Sequence, residues 1–155
     1  MSRLCQKCAI VDIETLTIVC RPFYFPREFS SVILTAMYIL PQANTDAAVI
    51  QLSDIVMQAE HCQPDSLVIV TGDFNKANPK KELPQFIQQV TCATSDGRIL
   101  NHCYTTIKGA YHSIPRAPLG RSDHAMVYLV PSYKQQLKCI KPTVNFTLQK
   151  RHIES

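Results

Sequence analysis

Apolar and polar positions alternate along Thr15-Leu-Thr-Ile-Val-Cys20, and the β-branched residues among them suit a half-buried strand. Pro22 and Pro26 bracket an aromatic run, Phe23-Tyr-Phe25, that reads as a connection or an edge. Val32 to Leu40 (VILTAMYIL) is nearly all apolar, which predicts a central strand ending before Pro41. Asn44 or Thr45 can cap a helix reaching about His61, with Val49, Leu52, Val56 and Ala59 on one face. Pro64-Asp65 breaks it, and Leu67-Val-Ile-Val-Thr71 is a strand that ends in Gly72-Asp73. A short helix is predicted over residues 84–90, with Pro84 in its first turn and Phe86, Ile87 and Val90 facing inward. Ile99 to Thr106 reads as a strand, residues 109–122 as a loop rich in Gly, Pro and Arg, and Ala125 to Val130 as the last strand. There is no internal repeat.

A chain of 155 residues and 17.5 kDa suits one domain rather than two separate cores. Hydrophobic residues at 46% and charged residues at 18% argue against a disordered tail or a coiled coil. No apolar run approaches the roughly 20 residues of a membrane span, so no membrane partner is expected. The first ten residues carry Arg3 and Lys7 and lack a continuous apolar stretch. A secretory signal is therefore not expected, and the location implied is intracellular, nuclear or cytoplasmic. The net charge of +4 conceals an asymmetry. Residues 1–75 hold 4 Lys/Arg against 8 Asp/Glu (−4), and residues 76–155 hold 12 against 4 (+8). A basic half points to a polyanionic partner or to a solvated basic surface.

Seven cysteines, at 5, 8, 20, 62, 92, 103 and 139, are an odd and scattered set. They read as reduced intracellular thiols and not as a disulfide framework. Cys5-x-x-Cys8 has the spacing of half a zinc site, but no second pair at that spacing exists, since His61-Cys62 and His102-Cys103 are adjacent residues.

Three short motifs lie at strand ends: Tyr38-Ile-Leu-Pro41, Gly72-Asp-Phe-Asn75 and Ser122-Asp-His124. Each alone is a turn or a cap. In this order, the chain resembles the endonuclease/exonuclease/phosphatase superfamily of DNase I and exonuclease III. The likeness is greatest to the apurinic-endonuclease-like domain of non-LTR (LINE-type) retrotransposon polyproteins. It is carried by Arg21-Pro-Phe-Tyr-Phe-Pro-Arg-Glu-Phe29, Tyr38-Ile-Leu-Pro-Gln-Ala-Asn44, Gly72-Asp-Phe-Asn-Lys-Ala-Asn78, Asn101-His-Cys-Tyr104 and Gly120-Arg-Ser-Asp-His124.

The resemblance implies an α+β fold of two packed, mostly antiparallel sheets flanked by helices, a DNase I-like sandwich missing its first strands. Residues 10–131 would form the domain and 132–155 a polar basic tail or linker. It implies Mg²⁺-dependent (or Mn²⁺-dependent) phosphodiester hydrolysis, with DNA as substrate and a reverse transcriptase domain of a parent polyprotein as partner. Cleavage of a phosphodiester needs charge stabilisation, an activated water and commonly a hard divalent ion. Asp73 would orient or deprotonate the water, and Asn75 would hold a phosphate oxygen or steer Asp73. His124 would stabilise the developing charge, and Tyr38 would hydrogen-bond the phosphate. Asp123 would stand near the metal, and Lys76, Arg116 and Arg121 would line a nucleic-acid groove.

Two departures accompany the matches. The family's metal-binding glutamate precedes the Tyr-x-x-Pro segment on an earlier strand, and only 37 residues precede Tyr38 here. Glu14 is the candidate substitute, although its surroundings look like a different family strand. Asn101 stands where the family has an aspartate that hydrogen-bonds the catalytic histidine. These departures favour an alternative: a degenerate, non-catalytic remnant that at most binds nucleic acid. A phosphoinositide or sphingolipid substrate is a third reading, against which the 21–29 stretch argues.

Overall fold

The computed structural model describes residues 5–10, 13–23, 26, 28–132 and 134. Among the described residues nine elements follow in chain order: β1 (Cys5–Ile10), β2 (Ile13–Cys20), β3 (Ser31–Ile39), α1 (Thr45–Cys62), β4 (Ser66–Asp73), β5 (Ile87–Gln88), β6 (Asn101–Thr105), β7 (Tyr111–Arg116) and β8 (Met126–Pro131). Six strands form one sheet in the order β1-β2-β3-β4-β6-β5, and β7 pairs with β8 in a second. The fold is α+β with two sheets. Only β3 and β4 run parallel among these pairs, and α1 is the crossover that a parallel pair requires.

The helix forms where its pattern predicts. Asn44 accepts a hydrogen bond from the Ala47 N–H through its side chain, which satisfies one donor of the first turn. Ala48, Val49, Leu52 and Val56 then fall on one stripe and are buried against Ile33, Met37, Ile39, Val68 and Val70 of the sheet. These five strand residues share one face by the period of two. Burial of this face is the principal stabilising term of the fold. β3 is the third of six strands, central as its apolar run predicts, while Leu34 and Ala36 on its other face remain half-buried.

Two predicted elements are corrected. Residues 84–90 are not helical but form turns followed by the two-residue strand β5. A seven-residue helix makes too few hydrogen bonds to offset its nucleation cost. Strand pairing offers more: Gln88 Oε1 accepts from the N–H groups of Cys103 and Val90 at 2.9 and 3.1 Å, and β5 pairs with β6. Phe86 and Val90 are buried as expected, but Ile87 is exposed. The loop at 109–122 contains β7, which its proline and arginine content concealed. β7 pairs antiparallel with β8 from Tyr111↔Pro131 to Arg116↔Met126. β1 precedes the expected 10–131 range and pairs with β2 throughout. Of the tail at 132–155, all but residues 132 and 134 lie outside the described residues. One helix, rather than several, flanks the sheets among the described residues.

The second sheet lies over part of the large sheet, on the face opposite α1. Buried Gln89 links the sheets: its side-chain amide donates to the Ile87 and Ile107 carbonyls, and its Oε1 accepts from the Tyr111 N–H. Ser113 of β7 accepts from the Thr91 N–H at 3.0 Å. These bonds fix the first half of β7 beside residues 87–91, while the Ala125 N–H donating to the Thr94 carbonyl and the His124–Asn101 contact hold the start of β8 near the end of β4 and the start of β6.

Candidate active site

Strand register determines where the motif residues meet. Glu14 of β2 is opposite Tyr38 of β3, Tyr38 is opposite Asp73 of β4, and Asp73 is opposite Asn101 of β6. Directly opposed residues share a face, so these four form one row across four adjacent strands. At about 4.8 Å per strand the row is about 14 Å long. It lies on the face opposite α1. Tyr38 is 38% exposed, Asp73 and Asn101 are half-buried, and Glu14 is exposed at the outer end.

His124 meets the inner end of the row. Its Nδ1 lies 3.1 Å from Asn101 Oδ1. The amide oxygen can only accept, so Nδ1 carries the proton, and in the neutral ring Nε2 is left as an acceptor. The His124 N–H also donates to Ser122 Oγ at 3.1 Å, which forms a tight turn before β8. The loop between β7 and β8 thus delivers the imidazole to a strand 23 residues earlier.

Asn75 is placed differently from Asp73. Its backbone takes a positive φ of 49°, its N–H donates to Asp73 Oδ1 at 3.0 Å, and its Nδ2 donates to the Ile39 carbonyl at 2.6 Å. The side chain therefore fastens the end of β3 to the turn after β4, and the backbone orients the Asp73 carboxylate. The bond to Asp73 thus comes from the backbone, while the Asn75 side chain is committed to the Ile39 carbonyl. Lys76, Arg121 and Asp123 are exposed, Lys76 directly after Asn75 and Asp123 directly before His124, and Arg116 is opposite Met126 where β8 begins, two residues after His124.

A cleft of about 300 Å³ opens beside Asp73 and Asn101, with Thr71 and Cys103 on one side and Ala125, Val127 and Leu129 on the other. Burial pushes the Cys103 thiol up to about 11, against the smaller opposing effect of a hydrogen bond with Thr71. Cys103 is therefore a neutral thiol in the neutral range and not a nucleophile.

Among solved structures, the chain is similar to an endonuclease/exonuclease/phosphatase family protein from Bacteroides thetaiotaomicron, at 12% identity and a TM-score of 0.46. The likeness covers 76% of this chain and 54% of that one, so the chain spans about half of that protein. No family model and no curated protein matches.

Among the described residues, no group of three or more His, Cys, Asp or Glu side chains could hold a metal ion. Glu14 lies two strands, about 10 Å, from Asp73 across the sheet. These residues do not fit a preformed cation site.

The site also depends on Thr94, which none of the sequence motifs includes. Thr94 is 1% exposed, and its Oγ1 accepts from the N–H groups of Leu100 and Asn101 at 2.8 and 3.1 Å. Its carbonyl accepts from the Ala125 N–H at 2.7 Å. One residue thereby ties the start of β6 to the residue after His124. The sequence signal for it is Asp96-Gly97, where both residues have positive φ and Ser95 bridges Arg98, the geometry of a tight hairpin turn. Thr94→Val keeps the volume but strands two N–H groups. It is expected to destabilise the chain by about 1–3 kcal/mol, read from the midpoint of urea unfolding at unchanged m-value.

Proposed function

We propose that the chain is a phosphodiester-cleaving domain of endonuclease/exonuclease/phosphatase type, of non-LTR retrotransposon descent, acting on DNA as a nicking endonuclease. One observation carries the reading: the Asn101–His124 hydrogen bond sits at the end of the row that holds Asp73 and Tyr38. A phosphate laid along this row would meet a hydroxyl donor, a carboxylate and an imidazole in succession. Asp73, aimed by the Asn75 N–H, would accept a proton from the attacking water. Tyr38 and the His124 Nε2–H of an imidazolium would donate to the phosphoryl oxygens as charge develops. Lys76, Arg116 and Arg121 would neutralise flanking phosphates, so affinity would fall steeply with salt.

Mg²⁺ or Mn²⁺ dependence and a reverse transcriptase partner are what the resemblance implies. No helix among the described residues is long and apolar enough to cross a membrane. A second reading, of a non-catalytic remnant that binds DNA, is favoured by Asn101 in place of a carboxylate and by the absence of a preformed ligand group among the described residues.

Supercoiled plasmid separates the two. The purified chain in Mg²⁺ is expected to convert it slowly to the open circle, and His124→Ala is expected to stop the conversion; an EDTA arm reads whether a divalent ion takes part. No conversion by a protein that melts cooperatively would select the remnant.

A further inference from the structure

We propose that His102 is a positioning residue for this site: from the opposite face of the sheet it holds the corner where the Asp73 and Asn101 segments meet, and its protonation loosens the Asn101–His124 pair. The inference rests on the reading of that pair as the site's working contact.

His102 is opposite Gly72 in the β4–β6 ladder, on the same face as α1. Its ring stacks on Phe74 with centroids 4.7 Å apart and planes within 16°. Phe74 immediately follows Asp73, is fully buried, and donates its N–H to the Leu100 carbonyl at 2.9 Å. The His102 Nε2 lies 2.9 Å from the Ile99 carbonyl, and Nδ1 lies 3.0 Å from the Tyr104 hydroxyl. A carbonyl accepts only, so Nε2 carries the proton, and Nδ1 takes the hydroxyl hydrogen. One neutral imidazole thus braces the residue after Asp73 and the bend that leads into Asn101.

A second proton on Nδ1 would point at the hydroxyl hydrogen, so Tyr104 would have to turn or the ring to move. Burial lowers the His102 pKa below its ordinary 6.5, while the Ile99 hydrogen bond and the attraction of Asp73 act more weakly the other way. Asp73 is the charged neighbour that acts on the ring. On its own strand, burial keeps Tyr104 neutral, pushed up to about 12, and Cys103, pushed up to about 11. The core cluster around Phe74 and Tyr104 contributes apolar side chains from α1 and from Leu83 and Phe86. Because folding favours the neutral ring, its contribution to stability is complete above about pH 6.5 and declines as pH falls towards the lowered folded value.

Histidine ring signals followed by NMR over pH 4–8 on the full chain test the proposal without any need for activity. His102 is expected to hold its proton on Nε2 and to titrate below 6.5. The His124 signals are expected to shift with an inflection at the His102 pKa. In His102→Gln, which cannot titrate, that inflection should vanish. Tyr104→Phe removes the donor that favours the neutral ring, and should move both the His102 titration and that inflection to higher pH. No inflection of the His124 signals at the His102 pKa in the native chain, or one there that persists in His102→Gln, would overturn the proposal. Loss of nicking with the coupled inflections intact would instead overturn the catalytic reading.

Discussion

Asn101→Asp is expected to speed plasmid nicking about tenfold. The exchange replaces the neutral acceptor 3.1 Å from His124 Nδ1 with a charged one and leaves the shape nearly unchanged. A hydrogen bond to a charged group is worth about 1.5–3 kcal/mol against about 0.5–1.5 for a neutral one, and each 1.36 kcal/mol off the barrier is tenfold in rate. In serine proteases, on an unrelated fold, the reverse exchange at the histidine's partner costs about 10⁴ in rate. The gain here should be smaller, because the new carboxylate faces Asp73 directly across the β4–β6 ladder, and like charges in that position repel. Asn101→Ala is the control that gains nothing. An unchanged rate in a well-folded Asn101→Asp would mean that His124 takes no part in cleavage.

The elements legible in the sequence are those whose own residues decide the conformation. α1 has a side-chain cap at Asn44 and an apolar stripe, and β3 and β4 are runs too apolar to be anything but buried. The elements missed are decided by partners far along the chain. β1 (CQKCAI) has no alternation of its own to mark it, and is a strand because β2 offers it an edge. β7 exists because β8 pairs with it, despite Pro115. Residues 86–90 mimic a helical stripe, yet the Gln88 and Gln89 side chains serve the backbone of the neighbouring strand and loops. The candidate site divides in the same way. Asp73, Asn101 and His124 could be read from motifs at strand ends, which the sheet then aligns. Their order in a row, with Glu14 at its outer end, depends on register between residues up to 35 positions apart. Periodicity within one strand carries no record of that register. Thr94 supports the site without touching the row's exposed face and lies in none of the motifs; His102 lies inside the Asn101-His-Cys-Tyr104 motif, but its place on the opposite face is set by register.

Gly72→Ala is expected to be the most damaging single-methyl change in the chain. A Cβ at this position would lie 1.8 Å from the Met37 carbonyl oxygen and 2.7 Å from its carbon, both backbone atoms of the neighbouring strand. Met37 is the register partner of Gly72, so relief requires β3 and β4 to separate at the residues just before Tyr38 and Asp73. The φ of +151° adds strain for any residue with a side chain. Breaking this end of the central pair would cost on the order of 4 kcal/mol or more, a large part of the total that a domain this size commands. At about 2–4 °C per kcal/mol, the melting temperature should fall by about 8–16 °C, or the cooperative transition should vanish. Gly97 and Gly109 supply the comparison: both have positive φ, of 74° and 63°, but a Cβ there meets nothing within 4 Å. Alanine at those turns should cost about 1–2 kcal/mol, from backbone strain alone. The difference between Gly72→Ala and these two variants therefore isolates the close approach of β3 to β4. Equal losses in all three would mean that the two strands do not meet in this register, and would remove the physical basis for Tyr38 and Asp73 sharing a site.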